Sequence, residues 1–104
     1  MFSLGYRSRL EIIADILKTA RNGAKKTRIM YFANLSYSLL EKYLAKVIKA
    51  KLIVNNGDEY EITEKGRLFL EKFESYSKKV SRINRELSVI KFERRVLEQM
   101  CEGL

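Results

Sequence analysis

The chain has 104 residues, 46% hydrophobic and 33% charged, with a net charge of +8, no proline and no histidine. That size fits one compact domain with an appendage, and the hydrophobic share excludes a disordered chain. The lack of histidine removes the usual general base and the commonest metal ligand, and no apolar run approaches the ~20 residues of a membrane span.

Ser8-Arg-Leu-Glu11 has the form of a capping box, and Leu10, Ile13, Ile16 and Leu17 recur at helical spacing behind it. Gly23 is a natural stop, because glycine takes a positive φ without strain. The first helix is therefore expected over about 8–22. A second helix is expected over Ala24–Ala33, with Ile29, Met30, Phe32 and Ala33 on its buried side. Lys25, Lys26, Thr27 and Arg28 crowd its first turn, where cations oppose the helix dipole unless an anion docks on the free N–H groups. A solvated basic turn and a phosphate-holding one are both compatible with these residues.

The chain breaks at Ala33-Asn34-Leu35, and Ser36 caps a third helix over about 36–50. Leu39, Leu40, Tyr43, Leu44, Val47 and Ile48 form its apolar stripe. The other side shows Tyr37, Ser38, Glu41, Lys42, Ala45, Lys46 and Lys49. Two helices joined by three or four residues, the second basic and amphipathic, predict a helix-turn-helix. Lysines on an exposed face are solvated by default; three on this particular helix point to nucleic acid.

Leu52-Ile-Val54 and Tyr60-Glu-Ile-Thr63, separated by Asn55-Asn-Gly-Asp-Glu59, predict a β-hairpin. Its tip carries Asp58 and Glu59 and no cation, so phosphates repel it. Thr63 caps a last helix with Lys65-Gly66 in its first turn. From there Phe69, Phe73, Tyr76, Val80, Ile83, Leu87, Ile90, Arg94, Leu97, Cys101 and Leu104 alternate in steps of four and three. That is a heptad seam of about five repeats, which a single helix would leave exposed, so a partner helix is implied. Arg94 interrupts the seam and needs an acid or a route to solvent. Val89, Phe92, Val96 and Met100 form a second, outer stripe, read as packing within the dimer or as a docking surface.

The fold class expected is mainly α with a small β-hairpin: a winged helix-turn-helix over 1–66 and a dimerisation helix over 67–104. The charge is asymmetric. Residues 1–51 hold eleven Lys/Arg against three acids, whereas 52–104 hold ten of each sign. A basic half beside a neutral one suits a polyanion partner.

The block Lys26-Thr-Arg-Ile-Met-Tyr-Phe-Ala-Asn-Leu-Ser-Tyr37, with Gly23, Tyr43-Leu44, Leu52-Ile53, Tyr60-Glu-Ile-Thr-Glu-Lys-Gly66 and Phe69-Leu70, resembles an archaeal winged-helix family of small predicted transcriptional regulators. That family includes the 10a group of Sulfolobus DNA-binding chromatin proteins, and the resemblance covers about residues 8–75. It implies a winged head, a long C-terminal helix pairing as an antiparallel coiled-coil homodimer, and double-stranded DNA as ligand. Members often have glycine before the Leu-Ile of the first wing strand; here Lys51 stands there. Chromatin architecture and operator binding both occur in the family.

The leading expectation is a dimeric double-stranded-DNA-binding protein, cytoplasmic and nucleoid-associated. Tyr37, Ser38, Lys42 and Lys46 would face the major groove, and Lys25, Lys26, Thr27, Arg28 and Lys49 the phosphates, with Ser36 at the edge of that set. Phe73, Tyr76, Val80, Ile83, Leu87, Ile90, Arg94, Leu97 and Cys101 would form the dimer interface. The rival is a winged helix that binds protein and not DNA; RNA binding, through Tyr31 and Tyr37 stacking on bases, is a weaker third. No enzyme, metal site or cofactor is expected: one cysteine builds no zinc site, and the five glycines are too scattered for a phosphate loop. The first residues hold too short an apolar segment for a signal peptide, and the lone Cys101 suits a reducing compartment.

Overall fold

The structure is a computed structural model that describes residues 7–103. The start of the expected head, residues 1–6, and the last seam position, Leu104, lie outside the described residues. The head contains α1 (Arg9–Thr19), α2 (Lys26–Phe32), α3 (Tyr37–Lys49), β1 (Ile53–Asn56) and β2 (Glu59–Ile62). The long α4 (Glu64–Met100) follows them. The fold is mainly helical with one two-stranded antiparallel hairpin, as the sequence pattern required. No described helix is long and apolar enough to cross a membrane.

Local chemistry explains most boundaries. The Ser8 hydroxyl accepts from the Glu11 N–H at 3.1 Å while the Glu11 carboxylate accepts from the Ser8 N–H at 2.7 Å, completing the capping box. After α1 a single 3₁₀ turn, Ala20–Asn22, runs to Gly23 at φ 89°. The second helix starts two residues later than expected. Ala24 is held in a β-bridge to Tyr60, its N–H and C=O paired with that residue at 3.0 and 2.7 Å. It is therefore committed to the sheet, and Lys25 stands at the cap with extended backbone.

Both turns that frame α3 use the same device. Asn34 (φ 55°) follows α2 and Lys51 (φ 64°) follows α3. In each the next N–H reaches back one turn: Leu35 to Met30 O at 3.0 Å, and Leu52 to Val47 O at 2.9 Å. These are Schellman motifs, which satisfy carbonyls the helix leaves open. Lysine at Lys51 is tolerated but strained, since a left-handed backbone disfavours any residue with a Cβ. Lys51→Gly is expected to stabilise the fold by about 0.5–1 kcal/mol in urea denaturation. An unchanged midpoint would mean that the Lys51 side chain offsets the strain.

The hairpin is longer than expected. Asn55, Asn56 and Glu59 pair within it, and only Gly57-Asp58 form the turn, with positive φ at Gly57 and not at Asp58. That sign pattern belongs to a type II′ turn, so the Asn-Gly pair straddles the last strand residue and the turn. Ile53 faces Ile62 across the ladder, and both are buried.

The core joins Ile16, Leu17, Ile29, Leu40, Val47, Ile53 and Leu70, all at most 2% exposed. Several apolar positions assigned to it lie outside. Leu10, Phe32, Leu39 and Ile48 are 39–58% exposed, because the stripes on these short helices are narrower than their apolar runs. The chain divides into two compact units after Phe73. Leu70 is buried in the head, and Phe69 and Phe73, stacked with ring centres 6.1 Å apart, pack against the same core. Phe73, assigned to the dimer seam, is therefore already engaged by the head.

Candidate nucleic-acid interface

Of the residues singled out from the sequence, those on α3 form one exposed face. Tyr37, Ser38, Lys42, Ala45, Lys46 and Lys49 are all exposed, while Leu40, Tyr43, Leu44 and Val47 hold the opposite side in the core. Ser36 caps the helix, its hydroxyl accepting from the Leu39 N–H at 3.2 Å. Among the described residues no ion pair engages Lys42, Lys46 or Lys49. Lys42 Nζ lies 5.9 Å from the Tyr43 ring centre, close enough to hold the ammonium but not to neutralise it.

The basic residues around α2 are dispersed by the fold. Lys26 turns toward α3, donates to the Glu41 carboxylate, and sits 5.3 Å from the Tyr37 ring centre. The Glu41 hydrogen bond raises the Lys26 pKa above 10.5, and the same bond, followed by one from Tyr37, lowers Glu41 below 4.5. The signs agree. Glu41 contributes stability above about 4.5 that fades as pH falls through its lowered value, and Lys26 contributes below about 10.5 and fades above its raised one. The pair is intact across neutral pH. Lys25 points toward the wing tip, 3.8 Å from Asp58. Arg28 faces the other way, its guanidinium 4.5 Å from the Phe32 ring centre, in an open cleft shared with Asp15 and Lys18 of α1. Thr27 is exposed between them. Lys26 is thus joined to the α3 face, while Lys25 and Arg28 diverge from it.

Arg7 has a role that counting charges missed. It donates through Nη1 to Asp15 at 2.7 Å and to Ala33 O at 2.7 Å, and through Nη2 to Asn34 O at 2.9 Å. It clamps the turn between α2 and α3 against α1 and so fixes the direction in which α3 leaves. Nothing in the local sequence marks it, since its partners lie 8, 26 and 27 residues away.

A second set of bonds fixes the far end of α3. The Thr63 hydroxyl donates to Lys51 O at 2.7 Å and accepts from the Gly66 N–H at 3.0 Å. The Thr63 N–H donates to Leu52 O at 3.1 Å, and Lys65 Nζ to Ala50 O at 2.8 Å. Three successive carbonyls after α3 are thereby bound by the first turn of α4.

Beyond the head, the seam positions of α4 are exposed in the single chain, among them Ile83 at 59% and Leu97 at 63%. Arg94 finds its acid on its own helix, with Glu98 at 3.3 Å. Val89, Phe92, Val96 and Met100 are exposed as well, and Cys101 is a free, exposed thiol.

The winged helix-turn-helix family model matches residues 6–81. Two uncharacterized proteins of Methanocaldococcus jannaschii, MJ0290 and MJ0287, are 39% identical over 69 residues and 40% identical over 62, or 65% and 59% of this chain. The chain spans only 33% and 64% of their respective lengths. Among solved structures it is similar to Sso10a-2, a DNA-binding protein from Sulfolobus solfataricus, at 33% identity and a TM-score of 0.67, over 88% of this chain and 96% of that one. Lactococcus lactis ZitR shares the fold at 16% identity and a TM-score of 0.59, over 94% and 78% of the two chains. The family match covers most of the chain, and the chain belongs to the winged helix-turn-helix family.

Proposed function

We propose that this protein binds double-stranded DNA as a homodimer, presenting α3 to the major groove and pairing through the seam of α4. The observation that carries the reading is the row Lys42, Lys46 and Lys49, exposed and free of ion pairs on the second helix of the motif. The similarity to a Sulfolobus DNA-binding protein at 33% identity supports it. Tyr37, Ser38, Lys42 and Lys46 contact the groove in this reading. Lys49, Ser36, Thr27 and, where they can reach, Lys25 and Arg28 contact phosphates. The exposed side of α3 carries no Arg, Asn or Gln, the residues that make bidentate base contacts, so sequence preference is weak. That favours an architectural role on chromatin over recognition of a single operator.

The dimer rests on the apolar seam. Val80, Ile83, Leu87, Ile90 and Leu97 expose a continuous stripe that a second α4 covers, with Arg94 and Cys101 inside it. Sedimentation at micromolar concentration should give twice the monomer mass. A monomer there would remove the paired-head arrangement. Failure of the two Cys101 thiols to crosslink under oxidation is expected of antiparallel helices.

The direct test is a titration of random and candidate-operator duplexes at two salt concentrations. Affinity should fall steeply with salt, with a log–log slope near −0.9 per phosphate contacted, and differ little between sequences. The outer stripe Val89, Phe92, Val96 and Met100 supports a rival reading, a protein-binding winged helix; activity insensitive to salt and no duplex affinity would favour that one.

Glu41 is a built-in brake in this reading. It occupies Lys26 and adds a negative charge to the groove-facing side. Glu41→Gln should raise duplex affinity about five- to tenfold at 50 mM salt and steepen the slope by about 0.9, as Lys26 becomes available. Weaker binding after that change would show that the ion pair positions α3 more than it competes with DNA.

A further inference from the structure

The outer face of α4, opposite the seam, changes character along its length. From Ser75 to Arg85 it carries Lys78, Arg82 and Arg85, with Lys79 at its edge beside the seam, and no acid. All four are exposed, and among the described residues none makes an ion pair, a hydrogen bond or a ring contact; Glu74 and Glu86, at either end, are not paired with them. Their spacing is unfavourable for the helix itself. Lys78 and Arg82 are four apart, and Lys79–Arg82 and Arg82–Arg85 three apart, so like charges neighbour each other on one side. A surface built only for solubility alternates signs, as this helix does at Arg94–Glu98 and Glu64–Arg67. The side chains between the cations include Ser81 and Asn84, short and uncharged, leaving the cations unscreened and the helix backbone approachable.

We propose that this strip is a second polyanion site, binding the phosphate backbone of duplex DNA independently of the winged head. Residues 78–85 rise about 10 Å along the helix at 1.5 Å per residue. One DNA strand presents a phosphate every ~3.4 Å of axis, so the strip spans about three phosphates. Lys78, Arg82 and Arg85 match that number, and the like-charge strain along the helix is relieved when phosphates lie over them. Contacts of this kind carry no base readout; they add affinity and salt dependence on any sequence.

The inference rests on the DNA-binding reading, and the test separates the two. R82Q/R85Q is compared with K91Q/R95Q, which removes the same charge from the same helix outside the strip; glutamine keeps helix propensity. Circular dichroism and sedimentation establish that both remain folded with the wild-type mass. In duplex titrations across 50–200 mM salt, R82Q/R85Q should reduce the slope by about 1.8 for each protomer in contact with the duplex, at 0.9 for each phosphate lost, and weaken binding more than tenfold at the low end. K91Q/R95Q should leave the slope close to wild type. Equal, small effects of the two variants would overturn the strip while leaving the head's binding to DNA in place. Absence of any wild-type duplex affinity would remove both. Vesicles rich in anionic lipid that release R82Q/R85Q while its duplex binding stays unchanged would reassign the strip to a membrane surface.

Discussion

Gly66→Ala is expected to destabilise the head by about 3 kcal/mol, the upper range for overpacking a buried site. A Cβ at Gly66 would lie 2.3 Å from the backbone oxygen of Leu52 and 3.3 Å from the Ile62 side chain. Neither neighbour is the flexible end of a long side chain. Leu52 O is bound to the Thr63 N–H, and Leu52 follows the αL turn that ends α3. Relief of the clash must therefore lift the start of α4 from that turn, stretching the bonds from Thr63 and Lys65 that fix the end of α3. Gly57→Ala provides the contrast. No atom lies within 4 Å of a Cβ there, so that change costs only the positive-φ term at φ 77°, about 1–2 kcal/mol. Chemical denaturation of the two variants should separate them. If Gly66→Ala is as stable as wild type, α4 is not locked to α3 as described.

K42E/K46E is expected to weaken duplex binding by about 10³-fold or more at 50 mM salt, because two groove-facing cations on each protomer become anions inside a polyanion's field. Both positions are exposed and neither lysine holds a structural ion pair, so the fold should be unaffected. A dimer reverses four charges at once. Mobility shifts identical to wild type would take α3 out of the interface, whatever happens to the strip on α4. Lys42→Arg/Lys46→Arg should preserve affinity on random DNA, because the positive charge presented by α3 is kept.

Much of this architecture was readable residue by residue. The Ser8 capping box, the Ser36 and Thr63 caps, the stop at Gly23 and the break at Ala33-Asn34-Leu35 are short-range signals, and each is realised where its residues stand. The length of α4 was readable because its apolar spacing persists. The errors share a cause. Ala24 reads as helical in the sequence because its partner, Tyr60, lies 36 positions on and the bridge leaves no local mark. Leu39 and Ile48 read as core in the sequence because an apolar run does not show how wide the facing surface is. Among the site residues, Lys25, Lys26 and Arg28 are near neighbours in sequence and point three ways, toward Asp58, Glu41 and the α1 cleft.

The sequence by itself determined the elements, their caps and the sign of their charge, because those depend on residues within a turn or two of one another. Tertiary structure decided where the charges go: which lysines stand free on α3, that Lys26 is held by Glu41, that Arg7 clamps the turn before α3, and that Gly66 admits α4 against Leu52. These depend on the distance between atoms far apart in the chain. Only the packing of α1, the wing and α4 around the motif sets that distance.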